Sequence, residues 1–369
     1  MTTPPWNNPL RLPRRQDWRI GCIGAGFIMR DCHLPAYRLA GWHPTIIASR
    51  SQTTAAEVAS LRNIPHVAPT VEALLADRSL EILDIAVPPQ HQPQLIRQAV
   101  AAGTGSLRGI LAQKPLALSV AEGRDLVDRC ARAGITLAVN QNMRYDPSVR
   151  AMRAVLDHGL LGEPVLATID MRAVPHWMPW AADLPSLSTF VMSIHHLDTF
   201  RFWLGTPDRV LASTRPDPRT RFPHCDGINL YILEYETGAR AAAWDDVWAG
   251  PDAGNEPSPD SFRAIHWRFE GTEGTALGSI GWPGYPARVP STITLNSRSL
   301  APGWHHSEEN AVWFPDAFAG PMAELLCAIE DGREPTHSGR DNLETLALCT
   351  AVFTAATEHR VTTVQEFLS

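Results

Sequence analysis

From Trp18 onward, short apolar runs alternate with segments whose apolar positions recur at helical spacing. This order predicts a β-α-β-α-β arrangement, which is typical of a parallel, doubly wound sheet in an α/β protein. The predicted elements are a strand at Ile20–Ile23, a helix from Phe27, a strand at Thr45–Ala48, a helix at Thr54–Leu61 and a strand at Ile82–Val87.

The next predicted helix carries a signal at each end. Ser119 and Glu122 form a capping box at its start, and Gly134 stops it before a strand at Ile135–Val139. Two more helices are predicted late in the chain, near Phe318–Glu330 and after Ser338, which has Asp341 three residues later.

After residues 144–147 the pattern changes to longer alternating segments, at Val165–Val174 and Leu230–Trp244, separated by loops rich in Pro and Gly. Such segments favour a large, mainly antiparallel sheet. The change predicts two domains, at 18–143 and 144–369. Residues 1–17 lack periodicity and are predicted to form a flexible N-terminal arm, whose Trp6 and prolines we hypothesise to drape over a neighbouring subunit.

The composition is that of a folded globular chain, with 44% hydrophobic and 19% charged residues. A net charge of −7 without a Lys/Arg run argues against nucleic acid and anionic membranes as partners. No apolar stretch is long enough to span a membrane, and no cleavage site follows Arg14-Arg15, so we expect a cytoplasmic protein. The cysteines form no C-x-x-C pair and are interpreted as buried thiols.

Gly24-Ala25-Gly26 lies between the first strand and the first helix, where backbone amides can receive a pyrophosphate. Met29 occupies the place of the third glycine of the dinucleotide fingerprint. We expect Gly24, Gly26, Phe27 and Ile28 to contact the cofactor, although a tight turn without a ligand explains the same residues.

The second predicted strand ends in Ser49, Arg50 and Ser51, where a site that prefers NAD usually presents a carboxylate to the ribose 2′-hydroxyl. An arginine flanked by hydroxyls suits a 2′-phosphate, which predicts a preference for NADP over NAD. The alternative for Arg50 is a solvated loop charge.

Two further segments follow strands at the carboxyl edge of the predicted sheet, where a dinucleotide lies. Pro88-Pro89-Gln90-His91 follows one strand, and His91 either borders the cofactor or simply starts a helix. Gln113-Lys114-Pro115 follows the next strand, so Lys114 is directed toward the nicotinamide end. There a lysine can hydrogen-bond a reacting hydroxyl and pass a proton, whereas the alternative is a surface lysine.

Residues 192–205 are predicted to form an amphipathic helix that ends at Gly205, with His195 and Asp198 on one face. An imidazole is suited to take a hydroxyl proton near neutral pH, and a carboxylate can hold a second hydroxyl. A core or capping histidine is the alternative. His195 and His196 point apart, so no metal site is predicted.

Together, these motifs resemble the Gfo/Idh/MocA oxidoreductases, over nearly all of the chain from Trp18. The ordered elements that carry the resemblance are Gly24-Ala25-Gly26, Pro88-Pro89-x-His91, Gln113-Lys114-Pro115, the run from Asn142 to Pro147, and His195-x-x-Asp198.

The resemblance implies an N-terminal Rossmann domain and a C-terminal α/β domain whose open sheet covers the nicotinamide and forms a homodimer or homotetramer. It implies hydride transfer between NADP or NAD and a secondary alcohol or ketone carbon of a sugar, sugar derivative or cyclitol. Aromatic residues of the second domain would suit a sugar face or belong to a core or interface; they are Trp177, Trp180, Trp244, Trp248 and Trp304.

Carried over by position, the resemblance makes Lys114 and His195 catalytic. It adds Arg144 and Asp198 to the substrate-binding set, and Pro88, His91, Gln113 and Asn142 to the cofactor-binding set. It also implies a cis Lys114–Pro115 bond. Gln113 replaces the family's Glu, and Val191 replaces an Asp four residues before His195, so a Lys-Asp-His proton relay is incomplete in this chain.

Two other functions remain open on the sequence. Some relatives oxidise a sugar transiently with tightly bound NAD and cleave its glycosidic bond. A sugar or nucleotide sensor of the same fold would lack turnover, although retention of Lys114 and His195 argues against it.

Overall fold

In the computed structural model, the described residues are 6–103, 105–173, 179–181, 184, 186–220, 224–250, 263–282, 285, 287–308 and 311–368. Residues 1–5 of the predicted arm, Val174 and Trp177 lie outside them.

The strands are β1 Ile20–Ile23, β2 Ile46–Ala48, β3 His66–Val67, β4 Ile82–Ile85, β5 Gly109–Ala112, β6 Thr136–Val139, β7 Pro164–Arg172, β8 Arg209–Arg215, β9 Ile228–Glu234, β10 Arg240–Asp246, β11 Ala264–Gly271, β12 Gly274–Ser279, β13 Thr292–Ser297 and β14 His305–Glu308. The α-helices are α1 Leu34–Leu39, α2 Gln52–Arg62, α3 Val71–Leu75, α4 Gln92–Ala102, α5 Val120–Arg132, α6 Pro147–Asp157, α7 Ile194–Leu204, α8 Ala319–Asp331, α9 Gly339–Glu358 and α10 Gln365–Leu368. Ile28–His33 and Ser188–Ser193 form π-helical turns that lead into α1 and α7.

One compact unit comprises Leu10–Tyr145 and Phe314–Leu343. Its six strands are parallel and lie in the order β3-β2-β1-β4-β5-β6, so the winding reverses between β1 and β4. The predicted doubly wound parallel sheet is confirmed. Every residue of β1, β4 and β5 is buried, as expected for strands that are covered on both faces.

Helix α8 packs on β5 of this unit, although the two are far apart in sequence. A methyl group added at Gly109 would lie 2.7 Å from Ile329 and 3.3 Å from Leu325. The unit is therefore discontinuous, whereas the predicted boundaries, 18–143 and 144–369, follow sequence order. Burial of the apolar side of α8 against a sheet face is favourable because it removes apolar area from water, and this does not depend on how far apart the two elements are in the chain.

The helix starts in this unit follow local rules. The Ser119 hydroxyl accepts a hydrogen bond from the Glu122 backbone over 3.2 Å, and Ser51 and Thr70 cap α2 and α3 in the same way. The predicted cap at Ser119 is confirmed. The helix expected from Phe27 instead opens with a π-helical turn, a form that is rare and often found at functional sites.

The N-terminal segment differs from the predicted flexible arm. Arg11 pairs with Asp331 over 2.7 Å, and the Arg14 backbone donates to Glu330 over 2.9 Å, so residues 10–17 are held against α8. Trp6 is only 5% exposed in its own chain, and its ring packs edge-on against His305 with the ring centroids 6.2 Å apart. Because an indole gains free energy when its large apolar area is buried, this intramolecular packing leaves Trp6 unavailable to a neighbouring subunit.

The second unit comprises Met1–Pro9, Asp146–Trp313 and Glu344–Ser369. Its eight strands lie in the order β14-β13-β12-β11-β7-β10-β9-β8. The β7–β10 pair is parallel and the other pairs are antiparallel, which confirms the predicted mainly antiparallel sheet.

The alternating segment at Leu230–Trp244 contains two antiparallel strands rather than one. The segment is the hairpin β9–β10, and the Tyr235 backbone pairs with Ala239 across the turn. Gly238 has a φ of +94°, which only glycine adopts readily. Glu236, Thr237 and Gly238 are all exposed, so the alternation of buried and exposed residues is interrupted at this turn.

Helices α6 and α7 pack on one face of the eight-stranded sheet. The centroid of the Trp203 ring lies 5.3 Å from that of Trp267 and 6.1 Å from that of Phe269. The Trp267 indole donates a hydrogen bond to the Ser148 hydroxyl over 3.0 Å. On β8 and β9, alternate residues remain exposed, so the opposite face of this part of the sheet is uncovered.

The cysteines are free thiols, buried except for Cys225, which is half-buried. Burial raises the pKa of Cys130 to about 12, so its thiol stays protonated at neutral pH. No helix within the described ranges is long and apolar enough to cross a membrane.

Candidate cofactor and active site

The glycine turn after β1 is shaped by two different requirements. Gly24 has a φ of +106°, and a Cβ there would lie 2.3 Å from the Ala86 carbonyl oxygen at the end of β4. Gly26 is exposed, and a Cβ there would meet no heavy atom within 4 Å. Gly24 therefore permits the close approach of two strand ends, and Gly26 leaves open space beside the backbone at the helix start.

This turn fits the pyrophosphate of a dinucleotide, because bare backbone at a helix N-terminus is what such a group requires. Phe27 and Ile28 follow the turn and are half-buried. Met29, in the place of the third glycine, is fully buried and belongs to the apolar core.

The end of β2 presents an exposed cation. Arg50 is exposed, and its side chain has no hydrogen bond or ion pair among the described residues. The Ser51 hydroxyl accepts from the Thr54 backbone over 3.1 Å and lies 2.8 Å from the Thr54 hydroxyl. Arg50 is thus available to an anion, whereas Ser51 is already engaged as the cap of α2.

The end of β4 continues into the turn predicted to border the cofactor. Pro88 is half-buried, and its carbonyl accepts from the His91 backbone over 3.0 Å. His91 precedes α4 as its N-cap residue, but its imidazole is exposed and makes no capping hydrogen bond. A helix-start role therefore explains the position of His91 but not its side chain.

A buried amide holds the segment that carries Lys114. Gln92 of α4 is fully buried, and its Nε2 donates to the carbonyl oxygens of Gln113, Pro115 and Leu116 over 2.6, 3.1 and 3.1 Å. Its Oε1 accepts from the Gln113 backbone over 2.6 Å.

Lys114 is half-buried, and the Lys114–Pro115 bond is cis, as predicted. Its backbone N–H donates to the Gln113 side chain over 2.8 Å, so Gln113, in the place of the family's Glu, supports the lysine backbone.

Lys114 is also the only lysine of the chain, beside 31 arginines. Arginine stays charged at any ordinary pH, whereas an ammonium can lose its proton. A chain that otherwise carries arginine and retains a lysine at this strand end points to a use for the titratable amine. The composition thus singles out Lys114 independently of its motif.

A buried polar network lies in the same unit. His33 Nδ1 is 2.7 Å from the Asp84 carboxylate, and its Nε2 is 2.7 Å from the Asn140 side-chain nitrogen. The Tyr37 hydroxyl donates to Asp84 over 2.8 Å, and burial raises the pKa of Tyr37 well above its usual range, so this donor keeps its proton. The network ties the helix after the glycine turn to β4 and to the end of β6, and sequence analysis missed it.

Two predicted residues beyond β6 have protein partners. Asn142 is buried, and its side chain donates to the Asn140 carbonyl over 3.3 Å. Arg144 is 4% exposed and donates to the Thr336 carbonyl and the Asp341 carboxylate, each over 2.8 Å. This placement favours a structural role for Arg144 over the predicted substrate contact.

In the second unit, His195 lies on α7 and is buried. Its ring meets Trp313 edge-on, with centroids 5.1 Å apart. The neighbouring His196 is fully buried and pairs with Asp245 over 2.8 Å. Val191, in the place of the family's Asp, is buried as well.

Asp198 is buried, and its carboxylate accepts from the Thr345 hydroxyl of α9 over 2.8 Å. Arg201 donates to the same hydroxyl over 2.7 Å. Asp198 therefore has a protein partner, and its predicted contact with substrate stays a prediction.

The predicted aromatic residues are in different environments. Trp180 is half-buried, and Trp248 is half-buried beneath Arg219, whose guanidinium lies 4.2 Å from the ring centroid. Trp244 and Trp304 are 44% and 48% exposed. Trp244 lies on the uncovered face of the sheet, and the Arg172 guanidinium lies 5.3 Å from its ring centroid. An interface role therefore suits Trp244 better than a core role.

Several predicted residues share one edge of the parallel sheet. Gly24 and Gly26, Arg50, His91 and Lys114 follow the carboxyl ends of β1, β2, β4 and β5, which adjoin in the sheet. His195 and Asp198 share α7 of the other unit. Within the described ranges, no group of three or more His, Cys, Asp or Glu residues could hold a metal ion.

Comparison with known proteins agrees with this geometry. Residues 18–141 match the model of an oxidoreductase family with an NAD-binding Rossmann fold, and residues 149–277 match the model of the GFO/IDH/MocA C-terminal domain.

Full-length relatives support the match. The chain is 28% identical over 306 residues to a D-apiose dehydrogenase of Rhizobium rhizogenes, covering 80% of this chain and 83% of that protein. It is 30% identical over 350 residues to D-xylose 1-dehydrogenase (NADP(+)) 2 of Haloferax volcanii, covering 91% and 97%.

A solved oxidoreductase from Agrobacterium radiobacter, in complex with NAD+, L-tartaric acid and magnesium, superimposes with a TM-score of 0.80 at 24% identity, covering 95% of this chain and 99% of that chain. With matched motifs, a doubly wound parallel sheet and family models that span both units, the chain belongs to the Gfo/Idh/MocA family of oxidoreductases.

Proposed function

We propose that this protein is a sugar or polyol dehydrogenase or reductase that prefers NADP over NAD. The observation that carries the proposal is the shared edge of the parallel sheet, where an open glycine turn, an exposed Arg50 and the only lysine follow neighbouring strands. When bound, the nicotinamide cofactor supplies a hydride donor or acceptor.

Lys114 is the proposed proton-handling group of the parallel-sheet unit. Its side chain can hydrogen-bond the oxygen of a reacting alcohol and pass a proton, assisting His195, as the carbon is oxidised. Support comes from its half-buried side chain and from the hydrogen bonds that hold its backbone.

His195 is proposed as the base that takes the hydroxyl proton. A neutral imidazole accepts a proton near neutral pH. The buried Val191, in the place of the family's Asp, has no group that could accept it. The Trp313 ring, edge-on at 5.1 Å, limits the orientations of the imidazole and supports a defined direction for it.

The glycine turn with Gly24 and Gly26 would hold the pyrophosphate, and Arg50 would bind the 2′-phosphate of NADP. The absence of a carboxylate from Ser49-Arg50-Ser51 supports this preference, since a carboxylate there would repel the phosphate. The similar Haloferax protein is named for NADP(+).

The substrate class is proposed from the relatives, which are named for D-apiose and D-xylose. A screen of NAD(P)H absorbance over aldoses, lactones and inositols, run with both cofactors, tests it. Reversible turnover with at least one sugar or polyol is expected. Aglycone release without net cofactor change would indicate a glycosidase, and cofactor binding without turnover would indicate a sensor.

The uncovered sheet face is proposed to bind a second copy of the chain, giving a homodimer or homotetramer. Leu211 opposes Ile232 across β8 and β9, and Leu230 opposes Trp244 across β9 and β10; the four side chains are 37 to 47% exposed. Such an apolar surface is typical of an interface between subunits.

Sedimentation at low concentration tests the oligomer. Ile232→Glu should yield a smaller species than the unmodified protein. Leu39→Glu, at a leucine that is 75% exposed in the other unit, is the control and should leave the mass unchanged. A monomeric unmodified protein would reject the interface.

A further inference from the structure

Gln92 occupies a position that neither the motifs nor the proposed chemistry uses. It lies in the first turn of α4, directly after the exposed His91, and yet it is fully buried. Its amide reaches a segment more than 20 residues ahead in the chain. A buried primary amide has several hydrogen-bonding atoms to satisfy, so its partners define its role.

All the described hydrogen bonds of the Gln92 side chain go to the backbone around Lys114. Nε2 meets three carbonyl oxygens, of Gln113, Pro115 and Leu116, at 2.6 to 3.1 Å. Oε1 receives the Gln113 N–H at 2.6 Å. The amide thus contacts the backbone on both sides of Lys114.

The chemistry of these contacts requires an amide. Three carbonyl dipoles converge on one atom, which must therefore be a donor, while the neighbouring atom must be an acceptor. A carboxylate would direct an oxygen at the three carbonyls, and an apolar side chain would leave them without this donor. The side chain of Gln113 adds a further bond, from the Lys114 N–H at 2.8 Å.

We infer that Gln92 is a positioning residue, which fixes the backbone from Gln113 to Leu116 and thereby the origin of the Lys114 side chain. The inference rests on the proposed function of Lys114. A lysine side chain is long and flexible, so the location of its amine depends on how firmly its backbone is held. A displacement of about 1 Å at a reacting group can lower turnover by about 100-fold.

The test compares Gln92→Met and Gln92→Glu with the matched control Gln94→Met, which changes an exposed glutamine of the same helix. We expect both Gln92 variants to lower kcat by about 10- to 100-fold, with cofactor Kd changed by less than about threefold. Gln94→Met should keep the unmodified kcat.

A double-mutant cycle separates positioning from general damage. In a Lys114→Ala background, Gln92→Met should cause no further loss of kcat, because the group through which Gln92 acts is gone. A further loss of the same size in that background would overturn the inference. Full turnover of Lys114→Ala alone would instead overturn the proposed function.

The single lysine permits a direct readout. Protein labelled with ¹³C at the lysine side chain should give the NMR signal of Lys114 alone. We expect one narrow resonance in the unmodified protein and a shifted or broadened one in Gln92→Met, whereas Gln94→Met should leave it unchanged. An identical resonance and titration curve in folded Gln92→Met would contradict the inference.

A measurement on the unmodified protein keeps the inference testable if both Gln92 variants fail to fold. The Gln113 N–H donates to Gln92 and to Ile85. We therefore expect its hydrogen to exchange with solvent as slowly as those of the most protected strand amides. Rapid exchange at Gln113 would show that the segment is not held and would reject the role of Gln92.

Discussion

The Thr345 hydroxyl donates to the Asp198 carboxylate over 2.8 Å, and both side chains are buried. The bond joins α7 to α9 inside the second unit. It gives Asp198 a partner in the protein itself, which favours a contribution to stability.

We therefore predict that Thr345→Val lowers the free energy of unfolding by about 1.5 to 3 kcal/mol, because a buried carboxylate loses a hydrogen bond. Denaturant unfolding measures the loss, and KM should stay within about twofold. Thr357→Val, at an exposed threonine of the same helix, is the control. A tenfold higher KM in Asp198→Asn, without loss of stability, would instead support a substrate contact.

Lys114→Ala should lower turnover by about 10²- to 10⁴-fold, the scale of a positioned acid or base, while the Kd of the cofactor stays nearly unchanged. Lys114→Arg should fail to restore turnover, because a guanidinium does not release its proton. Steady-state kinetics and cofactor titration measure the two effects. Unchanged turnover in the folded Ala variant would remove Lys114 from the mechanism.

His195→Asn should lower turnover most at the pH where alcohol oxidation by the unmodified protein is fastest, because an amide cannot accept the proton. The measurement is a pH profile of kcat for both proteins. His359→Asn, at an exposed histidine whose φ of 53° suits asparagine, is the control. Loss of cofactor affinity alone would argue that His195 has no part in proton transfer.

Arg50→Ala should remove most of a roughly 10- to 100-fold preference for NADP, since a charge-assisted hydrogen bond contributes about 1.5 to 3 kcal/mol. The Kd of NAD should change little, because NAD has no phosphate at that position. Titrations with both cofactors, at low and high salt, measure the preference, and salt should reduce it. The exposed Arg38→Ala is the control. A lower Kd for NAD in the unmodified protein would defeat the proposal.

Because His337 is buried, we predict that the protein loses stability in acid. Burial lowers its pKa to about 4, and its Nε2 donates to the Pro321 carbonyl over 3.0 Å. Between pH 4 and the ordinary value of 6.5, the unfolded chain binds the additional proton, so this contribution to stability is complete above 6.5 and is lost as pH falls.

We expect His337 to account for about 3 kcal/mol of the decrease in unfolding free energy over that range. Denaturant unfolding of His337→Gln at pH 4 and pH 7 should show a smaller decrease than the unmodified protein. His43→Gln, at an exposed histidine, should keep the full decrease. Equal decreases in all three proteins would contradict the prediction.

The sequence by itself determined the features that depend on neighbouring residues. The parallel strands β1, β2, β4, β5 and β6, the capping residue Ser119 and the glycine turn were predictable, because apolar periodicity, caps and left-handed turns are properties of short segments. The motifs and their order also led to the family.

Only the tertiary structure decided which distant segments meet. It brings α8 to β5, connects Gln92 to the backbone around Lys114, and gives Asp198 and Arg144 their partners on α9. A periodic pattern shows that a face is buried but not what buries it, and a polar residue in sequence does not reveal its acceptor. Those choices depend on shape and hydrogen-bonding complementarity between segments that are far apart in the chain.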